Sequence, residues 1–110
     1  MNIHQVDWNA IEWKPVREGV DRKSFSGAGC TLALHRLMPG HEPKPHQHPH
    51  EQVAYILAGR IRFHVGDAVT ELGPGGLLVV PPNTMHWGEV LGDEPVLNLD
   101  VFTPHRPEYD

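Results

Sequence analysis

Between Arg60 and Gly66 the chain reads RIRFHVG, with Ile61, Phe63 and Val65 on one side and Arg60, Arg62 and His64 on the other. This strict alternation is the period of a strand with one buried face. Further segments with strand character are CTLALHRL (30–37), EQVAYILAG (51–59), VTEL (69–72), LLVV (77–80), MHWGEVL (85–91) and VLNLDVF (96–102). The uninterrupted apolar run at 77–80 predicts a fully buried strand. Turn chemistry separates the strands at MPGHEPKP (38–45), GPGG (73–76), PPNT (81–84) and GDEP (92–95). The closing TPHRPEYD is too rich in proline for a strand interior. No segment carries a helical period. Seven or eight short strands at this spacing predict an all-β jelly-roll barrel of two antiparallel sheets. Alternation in the last strand puts Asn98, Asp100 and Phe102 on one face, which is the barrel interior if the leucines point outward.

A chain of 110 residues suits one domain with one core. Residues 1–28 read as an N-terminal arm, anchored by Trp8 and Trp13 and offering a candidate edge strand. Residues 29–110 read as the barrel. The single cysteine, Cys30, excludes an internal disulfide and reads as buried filler. There is no apolar run of about eighteen residues, so no membrane partner is expected. The first residues lack a basic segment followed by an apolar one, which predicts a cytoplasmic protein.

The formal net charge of −5 argues against a nucleic-acid partner. It leaves room for a small anionic substrate, because a local cationic site overrides a weakly acidic surface. Nine histidines draw attention to metal chemistry. The stretch PHQHPHEQ (45–52) is the densest cluster. His46 and His48 are two apart and share one side of an extended chain. Gln52 has the same parity, although Pro49 interrupts the alternation. A metal takes three or four ligands, so a distant residue should complete the set. His86, fixed behind the rigid PPNTM turn, is the best candidate. His50 and the scattered His4, His35, His41, His64 and His105 read as non-ligands. The choice between Glu51 and Gln52 stays open on these grounds.

GHEPKPHQHPHEQVAYILAG (40–59) and GGLLVVPPNTMH (75–86) resemble the two sequence motifs of the cupin superfamily. Asn83 stands where the second motif has a turn glycine, which asparagine replaces by accepting left-handed geometry. Val90 stands where that motif ends in asparagine. The resemblance implies a small barrel, a homodimer and one divalent transition metal, which could be zinc, nickel, iron, copper or manganese. The motif spacing to Gly59 puts the acidic ligand's slot on Gln52 rather than Glu51. The ligand set it implies is His46, His48, Gln52 and His86. Three imidazoles and an amide leave the metal's charge uncompensated, which favours an anionic ligand and Lewis-acid chemistry.

The ending LDVFTPHRPEY (99–109) resembles the KdgF-type cupins of pectin and alginate breakdown, whose Asp-x-Phe-x-x-x-Arg pattern matches Asp100, Phe102 and Arg106. That resemblance implies an enzyme that linearises 4,5-unsaturated uronate monosaccharides to 5-keto-4-deoxyuronate. In it, Asp100 would serve as general acid or base, Arg106 would hold the uronate carboxylate and Phe102 would pack on the sugar. The alternatives are a metal-dependent lyase or dioxygenase acting on another small anion, and a ligand-binding cupin without turnover.

Overall fold

The computed structural model describes residues 3–110. The described residues form nine strands: β1 (Lys14–Arg17), β2 (Val20–Ser26), β3 (Thr31–Leu37), β4 (Glu51–Ala58), β5 (Arg60–Val65), β6 (Ala68–Leu72), β7 (Leu77–Val80), β8 (His86–Leu91) and β9 (Val96–Thr103). The only helical elements among the described residues are 3-10 turns at Trp8–Ala10 and Pro107–Tyr109. A six-stranded antiparallel sheet, β1-β2-β3-β9-β4-β7, faces a three-stranded sheet, β6-β5-β8. Val20, Leu37, Ala54, Ile56, Ile61, Phe63 and Val96 fill the core between them. No described helix is long and apolar enough to cross a membrane.

The expected strands all appear, with bounds shifted by a residue at most. Two more come from the N-terminal segment. β2 pairs with β3 from Val20↔Leu37 to Ser26↔Thr31, and β1 lies outside it. β2 reads VDRKSFS, too polar to register as an apolar run. Its Lys23 is nonetheless buried, with its ammonium near the rings of Trp8 and Trp13. Stacking of a cation on an indole face lets the tryptophans hold the segment down without a hydrophobic partner. Cys30 is half-buried rather than enclosed.

One expectation fails at β7. LLVV alternates outward and inward, with Leu77 62% and Val79 54% exposed while Val80 is 0%. The reason is the two-layer fold: only one face of the large sheet meets the other sheet, so alternate residues of β7 point away from the core. Tyr55 and Leu57 of neighbouring β4 are exposed as well.

Two backbone positions explain residues of the sequence motifs. Gly59, between β4 and β5, has φ +78°, and a Cβ there would lie 2.4 Å from the Pro95 carbonyl oxygen. Only glycine fits such a position without a shift of backbone. Asn83 has φ +58°, the left-handed geometry expected where the motif carries glycine. Its amide donates to the His48 carbonyl at 2.7 Å, tying the β7–β8 turn to the histidine-rich loop.

β9 lies in the middle of the large sheet and alternates cleanly. Val96, Asn98, Asp100 and Phe102 are buried, and the residues between them are half-buried. Asp100 stands between Ala33 of β3 and Ala54 of β4, both 0% exposed. These small neighbours let longer side chains reach Asp100 from diagonal positions, as His35 does on β3 and Gln52 does on β4.

Candidate metal centre

His46, His48 and His86 come together. One ring nitrogen from each lies within 4.8 Å of the others. The backbone builds this meeting. His46 and His86 form an isolated antiparallel bridge, with the His46 amide donating to the His86 carbonyl at 3.1 Å and the reverse bond at 2.9 Å. Their ring centroids are 4.2 Å apart, and His48 lies 4.9 Å from His86. His48 and His86 are buried, while His46 stands at the exposed rim.

The hydrogen bonds fix the tautomers. Nδ1 of His46 donates to the Lys44 carbonyl at 2.8 Å, Nδ1 of His48 to the His50 carbonyl at 3.0 Å and Nδ1 of His86 to the Thr84 carbonyl at 2.8 Å. A carbonyl only accepts, so each Nδ1 carries the proton and each neutral ring offers its lone pair at Nε2. This second contact, which orients the imidazole, is the usual companion of a metal-binding histidine. Desolvation is the main cause that lowers the basicity of all three rings, and it pushes His86 down to about 4. They therefore stay neutral, as ligands must.

Gln52 is the fourth group. It is 4% exposed and faces inward, whereas Glu51 is exposed. Its Nε2 donates to Asp100 Oδ1 at 2.8 Å, and its Oε1 lies 3.0 Å from His48 Nε2. Flipping the amide would turn its oxygen onto the Asp100 carboxylate, so Asp100 holds Oε1 toward the histidines. The result sets two acceptors against each other, an arrangement that a cation shared between them relieves. His86 Nε2 is likewise buried with no partner. These orphaned lone pairs fit a divalent transition metal held by His46, His48, Gln52 and His86.

Asp100 is a hub. It is 3% exposed and accepts from Gln52, from Asn98 Nδ2 at 3.1 Å to each oxygen and from His35 Nδ1 at 2.8 Å. Phe102, 2% exposed, sets its ring edge-on to His48 at 5.4 Å. Arg106 is placed differently. Its Nε donates to Glu108 at 2.6 Å, its guanidinium lies 4.1 Å from the Tyr109 ring and 4.7 Å from the Phe102 ring, and its Nη1 is buried without a partner. It lies over the Phe102 ring, close enough for its charge to help lower the basicity of His46 and His48.

A cavity of about 280 Å³ reaches from the histidines past Asp100 to the N-terminal strands. Arg17, Arg22 and Lys44 line it, as do His35 and Tyr109. Arg17 Nε is buried without a partner, and burial lowers the group's basicity. Arg22 lies flat on Tyr109, its guanidinium carbon 3.7 Å from the ring centre. Burial in turn raises the Tyr109 hydroxyl above its usual range.

Sequence reasoning missed these cations and His35. The arginines belong to β1 and β2, which have no apolar signature. His35 did carry a signal: in TLALHRL it shares its face with Thr31, Ala33 and Leu37, and a polar residue on a core-facing row invites a question. The other scattered histidines lie outside the cluster. His64 stacks on Trp87 at 4.4 Å and pairs with Glu89, while His41 sits between the Met38 and Gly88 carbonyls.

A jelly-roll barrel with histidines converging inside it defines a class, and residues 33–102 match the Cupin domain family, to which the chain belongs. Among curated proteins it is similar to the pectin degradation protein KdgF of Dickeya dadantii, 28% identical over 88% of this chain and 89% of that one. It is also similar to the H2HPP isomerase of Bacillus subtilis, 30% identical over 83% of this chain but only 38% of that protein's length. The structure of KdgF from a Halomonas species superposes with a TM-score of 0.87 at 25% identity, covering 97% of this chain and 98% of that one.

Proposed function

We propose that the protein is a metal-dependent isomerase that linearises 4,5-unsaturated uronate monosaccharides to 5-keto-4-deoxyuronate. The observation that carries this reading is the pairing of a neutral donor set with a cationic cavity. His46, His48, His86 and Gln52 bring no negative charge to a metal, and Arg17, Arg22 and Lys44 line the space beside it in a chain of net charge −5. Such a site draws a small anion. The likeness to a pectin degradation protein and to an isomerase supports both the sugar class and the absence of an oxidant.

The reaction opens a cyclic hemiacetal and converts an enol ether to a ketone. A divalent metal held there supplies Lewis-acid stabilisation of developing oxygen charge. The chain's own residues do the rest. The lining cations hold the carboxylate, Phe102 closes the wall behind the histidines and keeps water out, and Arg106, stacked on that ring, adds positive charge. Proton transfer centres on Asp100 and the groups it binds.

The test follows the ultraviolet absorbance of the unsaturated uronate with metal-loaded protein. Loss of the signal, with no oxygen consumed, is the expected result. Decay no faster than in buffer defeats the reading, and oxygen consumption during turnover moves it to a dioxygenase.

A further inference from the structure

Asp100 is poorly placed to meet a substrate itself. It accepts from His35, Asn98 and Gln52, which leaves little of its lone-pair capacity free. His35 is the partner that opens toward the cavity: its side chain is 15% exposed against 4% for that of Asp100, and it lines the space beside the histidine cluster. The ionised carboxylate only accepts, so the proton in their 2.8 Å contact lies on Nδ1 of His35. The lone pair of the neutral ring is then at Nε2, which has no hydrogen-bond partner among the described residues. This is the arrangement of a histidine base oriented by a buried acid.

We propose that His35 is the catalytic acid–base of this site and that Asp100 sets its tautomer, an inference that rests on the uronate reading above. His35 Nε2 takes the proton of the anomeric hydroxyl. The electrons of that O–H bond form the C1 carbonyl as the C1–O5 bond breaks, and its electron pair stays on O5 as an enolate. The imidazolium returns its proton to C4, and the enolate becomes the C5 ketone. One proton leaves oxygen and one reaches carbon, so substrate and product are isomers and no co-reactant is consumed.

The same contacts join the base to the metal ligands. His35 binds Asp100, Asp100 binds Gln52 and Gln52 meets His48, through contacts of 2.8, 2.8 and 3.0 Å. Around the ring stand Arg22, its cross-strand partner on β2, Asn98, its partner on β9, and Tyr109, whose ring meets it edge-on at 6.3 Å. Arg22 and Tyr109 line the cavity as well, so a carboxylate drawn to Arg22 would be anchored close to His35.

Two measurements decide the matter. Zinc-loaded protein with nitrogen-15 in its histidine rings should show His35 protonated at Nδ1 and bare at Nε2 near neutral pH. A ring protonated only at Nε2 overturns the proposal, whichever substrate the protein takes. His35→Asn keeps a donor for Asp100 and removes the base. Its turnover of 4,5-unsaturated galacturonate should fall by about 100-fold or more, with zinc content, melting temperature and KM near wild type and partial rescue by added imidazole. His35→Gln should fall alike. Turnover by both variants within about threefold of wild type overturns the proposal. An inactive wild type instead removes the uronate reading and leaves the ring-nitrogen result to judge the His35–Asp100 pair.

Discussion

Gln52 donates its amide to Asp100 at 2.8 Å and in doing so presents its oxygen to His48. One hydrogen bond thus decides which end of a neutral side chain a metal would meet. Gln52→Glu would set a second carboxylate against Asp100. A divalent metal held beside them favours the ionised form of both. The variant should bind a divalent metal more tightly, yet bind a uronate about tenfold more weakly, because its site has lost net positive charge. Calorimetric titration with metal and then with saturated galacturonate measures both.

The imidazoles are the donors that would carry a metal, so their loss should be felt there first. His48→Ala and His86→Ala each remove a ligand whose Nδ1 is already fixed by a carbonyl. Each should lower metal affinity by at least about 100-fold, read by competition with a chromogenic chelator, while far-ultraviolet circular dichroism stays that of the β-barrel.

Metal-free protein should lose stability in acid through His86. Burial pushes that ring from 6.5 to about 4 in the folded state. Between those values the unfolded chain binds more protons than the folded one, so stability rises with pH and is lost as pH falls through the window. The total is on the order of 3 kcal/mol. Thermal melts of metal-free protein from pH 7 to pH 4 should show it, and His86→Asn should flatten the slope.

Arg17 lines the cavity, and its Nε is buried without a partner. A charged hydrogen bond to a carboxylate contributes roughly 1.5–3 kcal/mol, or about 10- to 150-fold in affinity. Arg17→Ala should raise KM for an unsaturated uronate within that range and leave metal content unchanged.

Gly59→Ala tests the barrel rather than the site. Its added methyl meets the Pro95 carbonyl at 2.4 Å with φ at +78°. The cost should be at least about 2 kcal/mol in urea unfolding.

Most of the sheet was legible because burial leaves a period. β5 alternates, β9 alternates and the turns between strands are spelled in glycine and proline. β7 misled because an apolar run gives no sign that one of its faces will be left uncovered. β1 and β2 were silent because charged residues interrupt them: Val20 of β2 joins the core, while Lys23 lies near the rings of Trp8 and Trp13. The metal cluster could be read since strand parity and motif spacing agree on the same residues. The cavity's cations and the His35–Asp100 contact could not, for they join residues far apart in the chain by pairing across neighbouring strands. Arg106, singled out from its motif, stacks on Phe102 and Tyr109, a contact that spacing alone does not specify.

The bridge between His46 and His86 carries one more consequence. Two main-chain hydrogen bonds hold the loop against β8. The centre is therefore preorganised. A metal arriving there meets rings already aimed, and little chain entropy remains to be lost on binding. Uptake and release should then be governed by the exchange of individual ligands at the rim, where His46 is exposed, and the barrel should not have to open for a metal to come or go.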